Sequence, residues 1–185
     1  MYTIVAPVPD NLTTAIEPHR QRFDPSAHLS PPHLTILEPF QFSAPVEQLY
    51  AHLSEIGETH APIKVFLVGW HVHTGKDYQL QLPMTAGHPA LVKLRQDILT
   101  GPLSALSEEK SYQPHLLFGR FSNPSSLEAA KQILQSFEPQ FVFRVNHLEL
   151  WQRDEVRLPW QVAIKFALKG TLAGHNRRSE EKENR

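Results

Sequence analysis

Two short segments of the chain carry the same chemistry. Pro32-His33-Leu34-Thr35-Ile36 and Pro114-His115-Leu116-Leu117-Phe118 each set a histidine directly after a proline, at the head of an apolar run. Proline straightens the approach, so each histidine opens a strand. Two imidazoles facing one phosphodiester suffice for its hydrolysis: a neutral ring takes a proton from water, and a protonated ring donates one to the leaving oxygen. Both forms are accessible near neutrality, because an unperturbed histidine titrates at about 6.5. Thr35 projects from the same strand face as His33 and can donate its hydroxyl to a non-bridging phosphate oxygen. Leu117, at the matching place after His115, cannot. Gln113, Gln152 and Arg153 are candidate replacement donors. Arg120 points away from His115 in a regular strand and joins them only if a bulge turns it inward.

Other chemistries have less to build on. His71-Val72-His73 puts two imidazoles on one strand face, which is a possible metal pair, but the sequence places no third ligand beside them. A metal-dependent enzyme using His71 and His73 is therefore a third reading, and no metal or other cofactor is expected. Trp70, Tyr78, Trp151, Phe40 and Phe121 could stack a base; one or two should reach a binding cleft, and Trp151 is taken into the candidate site. There is no Gly-x-Ser-x-Gly elbow and no Gly-rich phosphate loop. The absence of cysteine removes disulfides, thiol nucleophiles and cysteine-based zinc sites.

Length and charge narrow the partners. At 185 residues, the chain is long enough for one domain with a proper core. Lys plus Arg is 18 against 19 for Asp plus Glu, too balanced for a long-duplex DNA binder but open to a short or single-phosphate ligand. No apolar stretch approaches the roughly 20 residues of a membrane helix, and no leader pattern opens the chain. A soluble, cytoplasmic monomer is expected.

The elements that must position these residues follow from periodicity. Strands are predicted over Tyr2 to Val8, His33 to Leu37, Ile63 to His73, Tyr78 to Leu82, Tyr112 to Phe118, Phe141 to Trp151 and Trp160 to Leu168. His33, Thr35 and Leu37 are expected on one face. Helices are predicted from Leu12 to Glu17, stopping at Pro18; from Pro45, closed by Gly57; from Pro89; and from Asn123-Pro124. The order repeats with offsets of 82 residues from His33 to His115, 79 from Pro45 to Pro124, 78 from Ile63 to Phe141 and 82 from Tyr78 to Trp160. A unit present twice predicts two pseudo-symmetric lobes, roughly 1–86 and 87–170, within one domain over 1–174, and a cleft between them. Residues 175–185 are nearly all polar and are expected to be a disordered tail.

The paired motifs resemble the two-histidine (2H) phosphoesterase superfamily, including its 2′-5′ RNA ligase and cyclic phosphodiesterase branches. These proteins carry two His-x-Thr/Ser motifs about 80 residues apart in two pseudo-symmetric lobes. Residues 32–36 match the first motif fully. Residues 114–120 look like the second, with its Gly119-Arg120 ending, except that Leu117 stands where Thr or Ser is expected. The resemblance implies an α+β fold of two antiparallel sheets flanked by helices around a central cleft. It implies metal-independent hydrolysis of 2′,3′-cyclic phosphate or related 2′-linked phosphodiesters on RNA ends or small nucleotides, with His115 as base and His33 as acid. The alternative, motivated by Leu117, is a module that binds RNA ends or nucleotides with weak or no turnover.

Overall fold

The computed structural model describes residues 1–107 and 112–171; the expected tail over 175–185 lies outside the described residues. In chain order the strands are β1 (Tyr2–Pro7), β2 (His33–Phe40), β3 (Ile63–Val68), β4 (His71–Thr74), β5 (Tyr78–Ala86), β6 (His115–Phe121), β7 (Gln140–Val145), β8 (His147–Gln152) and β9 (Gln161–Ala167). The helices are α1 (Asp10–Phe23), α2 (Val46–Thr59), α3 (His88–Ile98) and α4 (Pro124–Ile133). All strand pairings are antiparallel and join one curled sheet in the order β7-β3-β5-β6-β2-β1-β8-β9, with β4 beside β5. The expected α+β architecture with two related halves is present.

The two halves meet at β2 and β6, where Leu34 stands opposite Leu116. Reading outward from this seam, β1 mirrors β5 and β8 mirrors β3. The halves of the sheet therefore do not follow the halves of the chain. β3 and β5 lie on the His115 side of the seam, and β8 and β9 lie on the His33 side. The offset from Ile63 to Phe141 relates strands that pair side by side, Ile63 opposite Val145, and the offset from Tyr78 to Trp160 relates strands in unlike places. Two expected long strands are each divided. Gly69, at φ +67°, separates β3 from β4, which pair with different stretches of β5, and Asn146 separates β7 from β8, which pair with β3 and β1 respectively.

One face of the sheet is apolar and covered by helices. Leu34, Ile36, Leu116 and Phe118 from the seam join Leu12 and Ile16 of α1, Leu49 and Leu53 of α2, and Leu91 and Leu94 of α3 in a single buried cluster. The connections cross over: α1 links β1 to β2 yet packs on β6, while α3 links β5 to β6 and touches β2.

Two helix boundaries differ from expectation for local reasons. α1 runs through Pro18 to Phe23. Pro18 is exposed, and the carbonyl deprived of its partner belongs to Thr14, also exposed, where solvent can replace the lost donor. The extra turn carries Arg20 and Phe23 inward, where both are buried. Gly57 does not close α2, which continues to Thr59. A side chain at Gly57 would collide with the Ala167 carbonyl, so glycine serves the close approach of β9.

Candidate active site

The face of the seam opposite the core lines a cavity of about 580 Å³. Directly paired residues share a sheet face. Leu34 and Leu116 are paired and both face the core, so their neighbours His33, Thr35, His115 and Leu117 face the other way. All four line the cavity. In this register His33 and His115 are diagonal neighbours, a relation that separates residues by roughly 7–8 Å. The Tyr112 hydroxyl donates to the Thr35 carbonyl at 2.8 Å and ties the two strands together beside the site.

Both rings are oriented in the same way. His33 Nδ1 lies 2.8 Å from the Pro31 carbonyl, and His115 Nδ1 lies 2.8 Å from the Gln113 carbonyl. A carbonyl oxygen only accepts, so in each ring Nδ1 carries the proton, leaving Nε2 as the available acceptor of the neutral form. This is the residue-by-residue sense of the repeat: a carbonyl two residues upstream fixes the tautomer of each histidine.

Their electrostatics differ in degree. Burial drives the His33 pKa down to about 4; its bond to Pro31 opposes this, and the Arg20 cation adds to it. Burial also lowers His115; its bond to Gln113 opposes this, and the fields of His73 and His71 lower it further. Behind His33, the ring of Trp151 stands edge-on at 4.7 Å between centroids, and its Nε1 donates to Glu149 at 2.7 Å. Burial pushes the Glu149 carboxyl up, but bonds from Trp151, Lys165 and His147 outweigh it and hold the pKa below its usual value.

Each histidine strand bends at an equivalent place. Along β1 and β2 the register passes from Ile4 opposite Leu37 to Val5 opposite Thr35, leaving Ile36 as the extra residue. Along β5 and β6 it passes from Leu80 opposite Gly119 to Gln81 opposite Leu117, leaving Phe118 extra. These bulges put two successive residues on the core side. Leu37 is consequently buried, not beside His33 and Thr35 as strict alternation predicts, and Glu38 takes its place on the cavity wall. On β6 the bulge turns Arg120 onto the face of His115, the condition under which it was a candidate. Glu38 and Arg120 thus occupy equivalent positions, five residues beyond their histidines, with opposite charge. Burial pushes the Glu38 carboxyl up, and Arg95 and Arg120 oppose that.

The remaining candidates divide. Arg153 lines the cavity, its guanidinium 4.1 Å over the ring of Trp160 and its Nη1 donating to the Val156 carbonyl at 2.8 Å. Trp151 is only 2% exposed, so it is a wall behind His33 and has no open face for a base; Trp160 on the rim is the aromatic that reaches the cavity. Gln152 pairs with Tyr2 and Gln161 on β8, and its side chain is outside the cavity lining. Gln113 contributes its backbone carbonyl to His115, and its side chain is also outside that lining. His71 and His73 are exposed on β4, and the described residues contain no group of three metal-ligating side chains.

Several lining residues escaped sequence reasoning, among them Trp160, Glu38, Arg20 and Gln79. Glu38 was hidden by the bulge, and Arg20 by the proline expected to end α1. Gln79 sits on β5, whose alternation was legible but whose place beside β6 was not. Arg20 is 3% exposed, with Nη1 2.9 Å from Glu17 and Nη2 3.0 Å from the Ser30 carbonyl.

A model of the 2′-5′ RNA ligase superfamily matches residues 8–157. The chain belongs to this superfamily. Solved structures of similar fold include TT0787 of Thermus thermophilus, 18% identical, with a TM-score of 0.62 over 91% of this chain and 98% of that one. E. coli LigT complexed with NADP+ is 16% identical, with a TM-score of 0.62 over 91% of this chain and 97% of that one. LigT complexed with 3′-AMP gives 16% and 0.57 over 90% and 97%. A search of curated proteins finds no match. Superfamily membership and the enzyme-like fold agree with the resemblance drawn from the paired histidine motifs.

Proposed function

We propose that this protein hydrolyses 2′,3′-cyclic phosphate, or a related 2′-linked phosphodiester, at the end of a short RNA or on a small nucleotide. The observation that carries this reading is the matched orientation of His33 and His115, each with Nδ1 bonded to a carbonyl and both lining one cavity. The two rings can perform the reaction without a metal. One Nε2 accepts a proton from water as the water oxygen bonds to phosphorus. The other ring, protonated, gives its proton to O3′ as the P–O3′ bond breaks, leaving a 2′-phosphate and a free 3′-hydroxyl. Thr35 donates to a non-bridging oxygen; its hydroxyl has no partner among the described residues.

Burial favours His33 as the base, since it is held neutral down to about 4. His115, also lowered, takes up its proton when the anionic phosphate arrives and acts as the acid. This reverses the division of roles implied by the resemblance. The cavity volume suits a nucleotide, and nucleotide complexes of LigT support a ligand of that class.

A second reading, binding with little turnover, is favoured by Leu117. One hydrogen bond fewer to a charged phosphate is worth roughly 1.5–3 kcal/mol. Incubation with nucleoside 2′,3′-cyclic phosphates in EDTA separates the readings. Formation of the 2′-phosphate under chelation supports hydrolysis. Binding without product supports the module, and turnover abolished by EDTA refutes the metal-free mechanism.

A further inference from the structure

The mirror relation of β1 and β5 compares the flanks of the two histidine strands position by position. On the His33 side, Thr35 stands opposite Val5, and the next cavity residue of β1 is Thr3. The Thr3 hydroxyl donates to the Leu37 carbonyl at 2.7 Å and is not available to a ligand. On the His115 side the polarity is exchanged. Leu117 stands opposite Gln81, and the next cavity residue of β5 is Gln79, opposite Arg120. The half that lacks a hydroxyl on its histidine strand carries amides on the neighbouring strand, where the other half has valine and a bonded threonine.

The amides are ordered. Gln81 is 5% exposed, and its Nε2 donates to Gln79 Oε1 at 2.8 Å. That bond engages the acceptor end of the Gln79 amide and leaves its NH₂ group as the end available to a ligand. Gln79 Nε2 has no partner among the described residues and is not a buried orphan. Because of the bulge at Phe118, Leu117 and Arg120 follow one another on the cavity face, and Gln79, opposite Arg120, lines the same cavity.

We propose that Gln79 is the second phosphate-binding donor of this site, filling from β5 the role that a hydroxyl at position 117 would fill from β6, with Gln81 as the residue that positions it. The proposal rests on the phosphate-site reading of the cavity but not on turnover. The neutral amide contacts a non-bridging oxygen on the side of the anion opposite Thr35, so two uncharged donors flank the phosphate while the histidines exchange protons.

The test is the affinity for inorganic phosphate, measured by calorimetry on the full chain, with folding checked by circular dichroism. Gln79→Leu should weaken binding roughly tenfold or more, as expected for one hydrogen bond to a charged group. Leu117→Thr alone should change affinity by less than about threefold, yet in the Gln79→Leu background it should restore most of the loss. Gln81→Met should weaken binding when Gln79 is present and have little effect when Gln79 is Leu. A folded Gln79→Leu protein that binds phosphate like the unmodified chain overturns the proposal. So does a gain from Leu117→Thr that is equal in both backgrounds, or an unmodified chain that binds no phosphate. Phosphate binding that follows this cycle in a protein without turnover supports Gln79 and refutes the hydrolase reading, so the two fail separately.

Discussion

At the scale of the residue, the two imidazoles differ less in geometry than in charge. Each Nδ1 is 2.8 Å from a carbonyl two positions upstream, and both rings have lowered pKa values. A histidine with a lowered pKa is neutral from high pH down to that value. The free form with His33 neutral and His115 protonated is therefore most populated between about 4 and a value below the usual 6.5. Since kcat/KM reports the free protein, its profile should be a bell with an optimum on the acid side of pH 6.5; an optimum above 7 contradicts the assignment. Replacing either ring, His33→Gln or His115→Gln, should lower kcat by roughly 10²–10⁴; His33→Gln should leave phosphate affinity within a few fold, whereas His115→Gln should weaken it, because that ring takes up a proton with the anion. Loss of binding with kcat unchanged would show the rings to be ligand contacts alone. Histidines, threonine and leucine at these positions were legible in the sequence because the motifs are short, contiguous and repeated. The carbonyls that fix the tautomers were not, since they depend on the turn that leads into each strand.

At the scale of the element, two bulges decide which side chains face the cavity. They move Leu37 into the core and bring Glu38 and Arg120 to the wall. Alternation alone cannot show this, because a bulge changes the parity of every later residue in the strand. Gly119 is part of the second bulge. A Cβ at Gly119 would lie 2.9 Å from Leu80 Cδ1 and 3.1 Å from Phe23 Cβ. Gly119→Ala should therefore destabilise the fold by about 1–3 kcal/mol, read as a lower urea midpoint, and weaken phosphate binding through Arg120. A variant as stable as the parent would show that β6 can shift without cost. Helix periodicity was legible for α2, α3 and α4, whereas the passage of α1 through Pro18 was not. That continuation depends on solvent reaching the Thr14 carbonyl and on the burial of Phe23 against β6, both tertiary facts.

At the scale of the whole molecule, the repeat places the histidines while the sheet exchanges the flanking strands between halves. The sequence repeat was visible in the spacing of His33 and His115, and it leads to the α+β fold and the shared cavity. The exchange was not visible, because strand order depends on which edges remain to be paired once β2 and β6 meet at the seam. One consequence reaches global stability. Unfolded His33 titrates near 6.5 and folded His33 at about 4, so the unfolded chain binds the proton more tightly. Stability from this group is complete above 6.5 and falls as pH drops toward 4, by at most about 3 kcal/mol. The decline should be smaller in His33→Gln, measured as urea midpoints at pH 7 and 4.5; an equal decline would assign it to other groups. The central claim is that both imidazoles address one anion, and ¹⁵N NMR of the histidine rings during a phosphate titration at pH 7 tests it most directly. The account predicts two neutral Nδ1–H rings in the free protein, with both Nε2 signals shifting together on addition of phosphate and the His115 ring gaining a proton. A response confined to one ring, or Nε2–H tautomers in the free protein, would contradict it.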